Sequence, residues 1–300
     1  MLKFIRKNLL NIIMTLIFIS GIAITAYPTI SDFVNTKIQD KNIENYDSKV
    51  KSLSNKNSEQ MKLQAHLYNQ SLYKVQSTGS SDNTDYEYED LLNPDGNGLM
   101  GYIVIPRVDI KLPIYHGIDE SVLNVGAGHF PSSSLPIGGN NTHTLILGHR
   151  GLPTMKLFND LDKVTTDDYF ELHILDEVLY YRVYNTEIVL PDKVSNLRIE
   201  NGKDLVTLIT CTPYGINTHR LLVHGERISD PTAELLVSSE ATTVNTSYVT
   251  IAIAVFLWIV ILIALIILST KHKQKRLSNG EYIRRAEIIS RHLRRNDDNE

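Results

Sequence analysis

The sequence predicts a mainly β fold, a barrel or a sandwich, carrying an N-terminal helical extension and flanked by two transmembrane helices. Three observations lead there. From residue 101 onward the segments "GYIVIP", "VDIKLPIYHG", "THTLILGH", "YFELHILD", "VLYYRVYNTEIVLP", "LVTLITC" and "RLLVHGERI" are rich in β-branched and aromatic residues and are separated by turn signals. Residues 31–75 mix Lys, Glu, Gln and Asn with spaced apolar positions and contain no Pro or Gly, which is a helical pattern. Residues 8–26 and 248–268 are almost wholly apolar, each about the twenty residues that span a bilayer.

Taken in chain order, residues 1–26 form an N-terminal transmembrane anchor or a secretory signal. The charged start at Lys3, Arg6 and Lys7 fits either, and the small residues near Ala26 make only a weak cleavage site. Residues 27–75 are the helical extension. Residues 76–98, "QSTGSSDNTDYEYEDLLNPDGNG", are polar, acidic and turn-rich, and read as a lid or linker loop. The β domain and its linker to the membrane occupy 99–247, a second transmembrane helix 248–268, and a charged cytoplasmic tail 269–300. Lys271, Lys273, Lys275 and Arg276 repeat the positive charge of the N-terminus, so both termini are expected in the cytoplasm and residues 27–247 outside.

Composition excludes little but is clear where it does. With 42% hydrophobic residues and a net charge of -4, the 300-residue chain has the make-up of a globular protein and no nucleic-acid footprint. The acidic stretches "TTDDY" and "DYEYED" are not spaced like a calcium loop, so neither metal nor cofactor is expected.

One cysteine stands in the whole chain, Cys211 in "TCTPYGINTHR". An exported domain with a single cysteine has no internal disulfide, so the thiol is a buried small hydrophobe, an intermolecular crosslink or a reactive group. Its place at the end of the apolar run "LVTLIT", entering a turn, suits a side chain that is both held and accessible. A reactive thiolate needs a cationic or acid-base neighbour, and a developing oxyanion needs a donor that keeps its proton. His149, at the Gly-flanked end of "LILGHRG", and Arg220, opening the strand after the turn, are the candidates. His116, His129, His143, His173, His219 and His224 read as solvated or structural, and Arg107 and Arg150 as surface or ion-pair residues.

The stretch "TLITCTPYGINTHRLLVHGER" resembles the T-L-x-T-C-T-P-Y-G-x-N-x-H-R-L-L-V-x-G stretch of the class C, pilin-polymerising sortases, and "LILGHRGLP" resembles their histidine motif. The segment "GNGLMGYIVIPRVDIKLPIYHG" is similar to the strand pair that opens their barrel. The helical extension and the second span fit the same class. The resemblance implies a sortase-type eight-stranded β-barrel as the catalytic domain of 99–247, with Cys211 as nucleophile, His149 as proton donor and Arg220 as oxyanion stabiliser. It implies a cysteine transpeptidase at the cell membrane that cleaves an L-P-x-T-G-like sorting signal between Thr and Gly. Its partners would be pilin subunits, one of which supplies an acceptor Lys.

One departure is visible. Many class C sortases cover the cleft with a lid carrying an Asp-Pro-aromatic tripeptide, which residues 76–98 lack; Asp85 and Tyr86 are the nearest equivalent, with Tyr88 next. The rivals are a cell-wall-anchoring sortase, a thiol protease, and a membrane-tethered binding domain with a merely buried cysteine.

Overall fold

Short runs of alternating apolar residues, punctuated by Gly, Pro and Asn, become eight strands. They are β1 (Leu99–Ile105), β2 (Ile110–His116), β3 (Ala127–His129), β4 (Thr142–Leu147), β5 (Tyr169–Ile174), β6 (Glu177–Val189), β7 (Asp204–Thr212) and β8 (His219–Ile228). The computed structural model describes residues 2–79, 86–229, 256–261, 263, 267, 280, 281, 283 and 284. The strands close into a barrel in the order β1-β2-β3-β4-β7-β8-β6-β5. Of the barrel and the sandwich left open by the sequence, the chain adopts the barrel. Two pairings are parallel, β2 with β3 and β4 with β7, and the second of these positions the site described below.

Period-two alternation sorts the strand residues onto two faces. Val206 and Leu208 of β7 and Leu221 and Val223 of β8 turn inward, where they join Ile103, Ile105, Phe170, Leu172 and Tyr181 in the main core. Ile209 and Leu222 turn outward and pack with Leu145 into a smaller cluster covered by Val189, Val194 and Leu197. Cys211 and Arg220 lie two residues further along the same alternation, so they share this outer face.

The chain divides into two compact units, Met1–Ala26 with Asn245–Glu300, and Tyr27–Val244. The second contains the barrel and most of the helical extension. Where one helical stretch over 31–75 was expected, two helices form, α1 (Leu2–Ser52) and α2 (Asn55–Thr78). Ser54 separates them: its hydroxyl caps α2 by accepting from the Asn57 amide. At the far end Gly79 takes the left-handed conformation, φ 67°, that closes a helix without a Cβ clash.

Polar side chains dock α1 on the barrel. Gln39 donates to the Val125 carbonyl at 2.9 Å, and the buried Tyr46 hydroxyl donates to Met100 O at 2.9 Å while accepting from Leu175 N at 2.7 Å. On α2, Lys62 pairs with Asp176 at 2.9 Å and Glu177 at 2.8 Å, and Asn69 exchanges two hydrogen bonds with the Leu135 backbone.

Within the first unit, Phe18 meets Trp258 edge to face, with ring centroids 5.8 Å apart. Among the described residues one helix, Ile12–Ser52, is long and apolar enough to cross a membrane, with a mean hydropathy of 1.8 over an 18-residue stretch of it. The expected second span, 248–268, falls largely outside the described residues, as does the tail 269–300.

Residues 76–98 differ from the expected loop in two ways. Helix α2 runs on to Thr78, and after residues 80–85, which lie outside the described residues, the chain forms a 3-10 turn at Tyr88–Asp90 and buries Leu91 and Leu92 in the main core. Acidic neighbours on both sides hid these two leucines as core residues.

The same region anchors a buried histidine. The Nε2 of His129 lies 2.8 Å from the Ser134 carbonyl, which can only accept, so Nε2 carries the proton and Nδ1 accepts from the Tyr88 hydroxyl at 2.7 Å. Burial lowers the His129 pKa from 6.5 to about 4, so the ring stays neutral in the fold. The unfolded chain takes up the proton first as pH falls. Stability is therefore complete above about pH 6.5 and is lost on the way down to about pH 4, by on the order of 3 kcal/mol from this residue. Burial also depresses His143 and His224, with the same sign. Melting curves between pH 7 and 4 should show this loss, and His129→Gln should flatten it; an unchanged slope in that variant would assign the acid sensitivity elsewhere.

Candidate active site on the outer barrel face

The apolar run that builds β7 ends at Thr212, so Cys211 is presented at the strand's last exposed rung with its side chain half-buried. Directly across the antiparallel β7–β8 ladder stands Arg220, and Thr212 faces His219. Opposed residues on one face of such a pair have Cβ atoms roughly 5 Å apart. Arg220 also opposes Val189 of β6, which places it at the boundary of the outer apolar cluster.

His149 approaches from the other side. The parallel β4–β7 register ends at Leu147 opposite Ile209, and the ladder continues one step, with Gly148 N donating to Ile209 O at 3.0 Å. The Thr210 hydroxyl then donates to Gly148 O at 2.7 Å, so both polar groups of Gly148 are tied to β7. Only glycine fits at 148, because a Cβ would stand 2.5 Å from the buried Phe158 ring. His149 follows directly on this tie, as Cys211 follows Thr210 on β7. The His149 carbonyl accepts from Phe158 N at 3.1 Å, which steadies the start of the loop.

The β7–β8 turn is stiffly built. Ile216 N and Asn217 N both bond to Pro213 O at 3.0 Å, while Gly215 and Asn217 take positive φ of 73° and 62°. The Nη1 of Arg220 donates to Asn217 O at 3.1 Å and His219 O at 2.9 Å, which fixes the plane of the guanidinium. Its Nε and Nη2 make no hydrogen bond among the described residues.

Beneath the site, on the same outer face, runs a buried polar chain. His143 Nδ1 lies 2.7 Å from Arg198 O and Nε2 2.8 Å from Thr207 Oγ1; Thr207 continues at 2.9 Å to His224, which reaches Glu187 at 3.2 Å. It ties the β6–β7 connection and β6 to the cleft floor. His143 and His224 are thus structural. His116 is buried between the carbonyls of Leu91 and Gly98, His173 pairs with Glu171, and His219 caps the turn beside Thr218. Among the described residues no cluster of His, Cys, Asp or Glu could hold a metal ion.

Of the expected lid residues, Tyr86 and Tyr88 are described. Tyr88 stacks on His129, its hydroxyl accepts from Gly117 N at 3.1 Å, and both Tyr86 and Tyr88 pack against the main core. Asp85 lies outside the described residues. Arg107 stands 3.9 Å from Asp168 as the ion-pair residue it was read to be. Arg150 is ion-paired too, but its side chain is only 8% exposed and so is not a surface residue. Thr210 and Arg150 were missed as parts of the site, although each is adjacent in sequence to a residue that was not.

Comparison with known proteins places the barrel in a family. The sortase domain family matches residues 103–228. Among solved structures, sortase C1 from Streptococcus agalactiae is 42% identical with a TM-score of 0.59, over 63% of this chain and 99% of that one. The chain belongs to the sortase family. Streptococcus pneumoniae sortase C is 38% identical with a TM-score of 0.55, covering 63% of this sortase and 97% of that chain. Sortase D of Bacillus subtilis is 25% identical over 158 residues, 51% of this sortase and 77% of its relative. Sortases are cysteine transpeptidases, and Cys211, His149 and Arg220 all fall within the matched residues of this one.

Proposed function

We propose that this sortase is a class C, pilin-polymerising enzyme in which Cys211 is the nucleophile, His149 the proton donor and Arg220 the oxyanion stabiliser. The observation that carries the assignment is the cross-strand pairing of Cys211 with Arg220; it is supported by His149 following Gly148, which is tied to β7 beside Cys211. The thiolate of Cys211 attacks the Thr carbonyl of an L-P-x-T-G-like signal. The permanently protonated guanidinium of Arg220 receives the tetrahedral oxyanion. As the Thr–Gly C–N bond breaks, imidazolium at His149 protonates the departing amine and a thioester remains on Cys211. A pilin Lys amine then attacks the thioester, neutral His149 takes its proton, the C–S bond breaks and an isopeptide forms.

Support for the class comes from the solved neighbours, which are sortases C; the Streptococcus pneumoniae enzyme among them is one whose structure bears on pilin substrate specificity. The membrane arrangement belongs to the same proposal, with 1–26 and 248–268 as spans, 27–247 outside, and both termini cytoplasmic. No lid role for Asp85, Tyr86 or Tyr88 enters it.

The test is a mass spectrum of the full-length enzyme in detergent after incubation with an L-P-x-T-G peptide and a Lys-bearing acceptor. An acyl adduct on Cys211 with release of the Gly fragment, resolved by the Lys amine, is expected. Absence of the adduct would remove the assignment; resolution only by water would make it a thiol protease, and only by a wall-type amine a cell-wall-anchoring sortase.

A further inference from the structure

Beyond Gly148 the backbone ladder between β4 and β7 stops, yet the loop after β4 carries His149 on one side and the end of β7 carries Cys211, with its turn, on the other. Something other than main-chain hydrogen bonds has to hold them in step. Arg150 is a side chain that touches both. Its Nε donates to Asn159 O at 3.1 Å and its Nη2 pairs with Asp162 at 2.6 Å, both within the loop that leaves β4. Its Nη1 donates to Thr212 Oγ1 at 3.2 Å, and its guanidinium carbon lies 5.9 Å from the centre of the Tyr214 ring, both just past Cys211. At 8% exposure the side chain is withdrawn from solvent, where hydrogen bonds to a charged group are worth more than at the surface.

We propose that Arg150 is a positioning residue that sets the spacing of His149 and Cys211 by clamping the loop after β4 to the turn after β7. The inference rests on the reading of Cys211 and His149 given above. Arg150 touches no reacting atom in this scheme; it acts through its neighbours, standing next to His149 in sequence and gripping Thr212, which is next to Cys211. The two arms pass close at this point, since a Cβ built on Gly151 would stand 3.5 Å from Gly215 N. Gly151 is itself held by Asn159, whose Oδ1 accepts its N–H at 2.6 Å. Three acceptors in three directions call for a planar fork, which Lys does not supply.

The experiment uses the full-length enzyme in detergent, with Arg150→Ala, Arg150→Lys and Thr212→Val. Lys62→Met serves as a control that loses ion pairs far from the site. Three quantities are read: kcat and KM for peptide cleavage, the pH midpoint for alkylation of Cys211 by iodoacetamide, and Tm. Misplacing reacting groups by about 1 Å can cost on the order of 100-fold in rate. Arg150→Ala is expected to lower kcat by roughly that factor with KM changed less than about 3-fold, and to shift the alkylation midpoint. Arg150→Lys should recover part of the rate, and Thr212→Val should lose about 3- to 10-fold in kcat, the loss of one hydrogen bond. Lys62→Met should lower Tm alone. If Arg150→Ala behaves like Lys62→Met, keeping kcat and the midpoint, the clamp is overturned. Should Arg150→Ala not fold, Thr212→Val decides, and unchanged kcat and midpoint there overturn it equally. A wild-type enzyme with no thioester and an inert Cys211 fails at the earlier step, taking the site assignment and the clamp with it.

Discussion

Cys211→Ala removes thioester and polymer formation completely while leaving the melting temperature within a few degrees of wild type, an effect in the small range expected for a half-buried strand-end substitution. Both halves of this expectation follow from position. The chain has one cysteine, so no second thiol can stand in. Its side chain is at the outer end of β7, past the apolar cluster of Leu145, Ile209 and Leu222, so truncation opens no void in the main core. Ala keeps the strand backbone and its pairing with Arg220. What remains in the variant, His149 and Arg220 around an empty nucleophile position, can at most assist attack by water and cannot store an acyl group. Intact-mass measurement after peptide incubation and the high-mass ladder of linked pilin subunits check the result. Any acyl adduct or ladder made by the variant would move the nucleophile away from Cys211.

The strands were legible because β-branched residues alternate within segments short enough to be bounded by their own turns. Closure was not legible from the strands themselves and came only from the resemblance, since it depends on pairings such as β1 with β5 and β6 with β8, made between residues far apart in the chain. The site shows the same division. Cys211 and Arg220 flank one turn, so a hairpin brings them together from local sequence alone. His149 follows β4, whose parallel pairing with β7 no local pattern specifies. Arg150 was read as a surface or ion-pair residue, and the ion pair with Asp162 is there; the withdrawal of its side chain and its bond to Thr212 depend on tertiary contacts that nothing marks in sequence. Leu91 and Leu92, set among "YEYED" and "NPDGNG", gave no periodic signal and were fixed by tertiary packing. The break at Ser54 left only a weak mark, one capping residue in an otherwise helix-compatible stretch.

Arg220→Lys is expected to cost about 100-fold or more in the acylation rate, the loss that follows removal of one oxyanion donor. The substitution preserves charge and nearly preserves length, so a purely electrostatic role would survive it. Geometry argues for a larger effect. The Nη1 of Arg220 is already committed to the carbonyls of Asn217 and His219, at 3.1 and 2.9 Å, which leaves Nε and Nη2 of a fork set directly across the ladder from Cys211. Lys has one nitrogen to divide between the turn and the oxyanion. Its three N–H donors all sit on that one nitrogen, so placing it at the turn carbonyls withdraws it from the oxyanion, and placing it at the oxyanion releases the turn and the ordering it provides. Tm should stay within a few degrees, because Arg220 is half-exposed and its ladder pairing is made by backbone. Single-turnover thioester formation, quenched and read by mass, isolates acylation from the later attack by the Lys amine. Acylation at the wild-type rate in Arg220→Lys would mean that backbone amides of the β7–β8 turn, and not the guanidinium, hold the oxyanion.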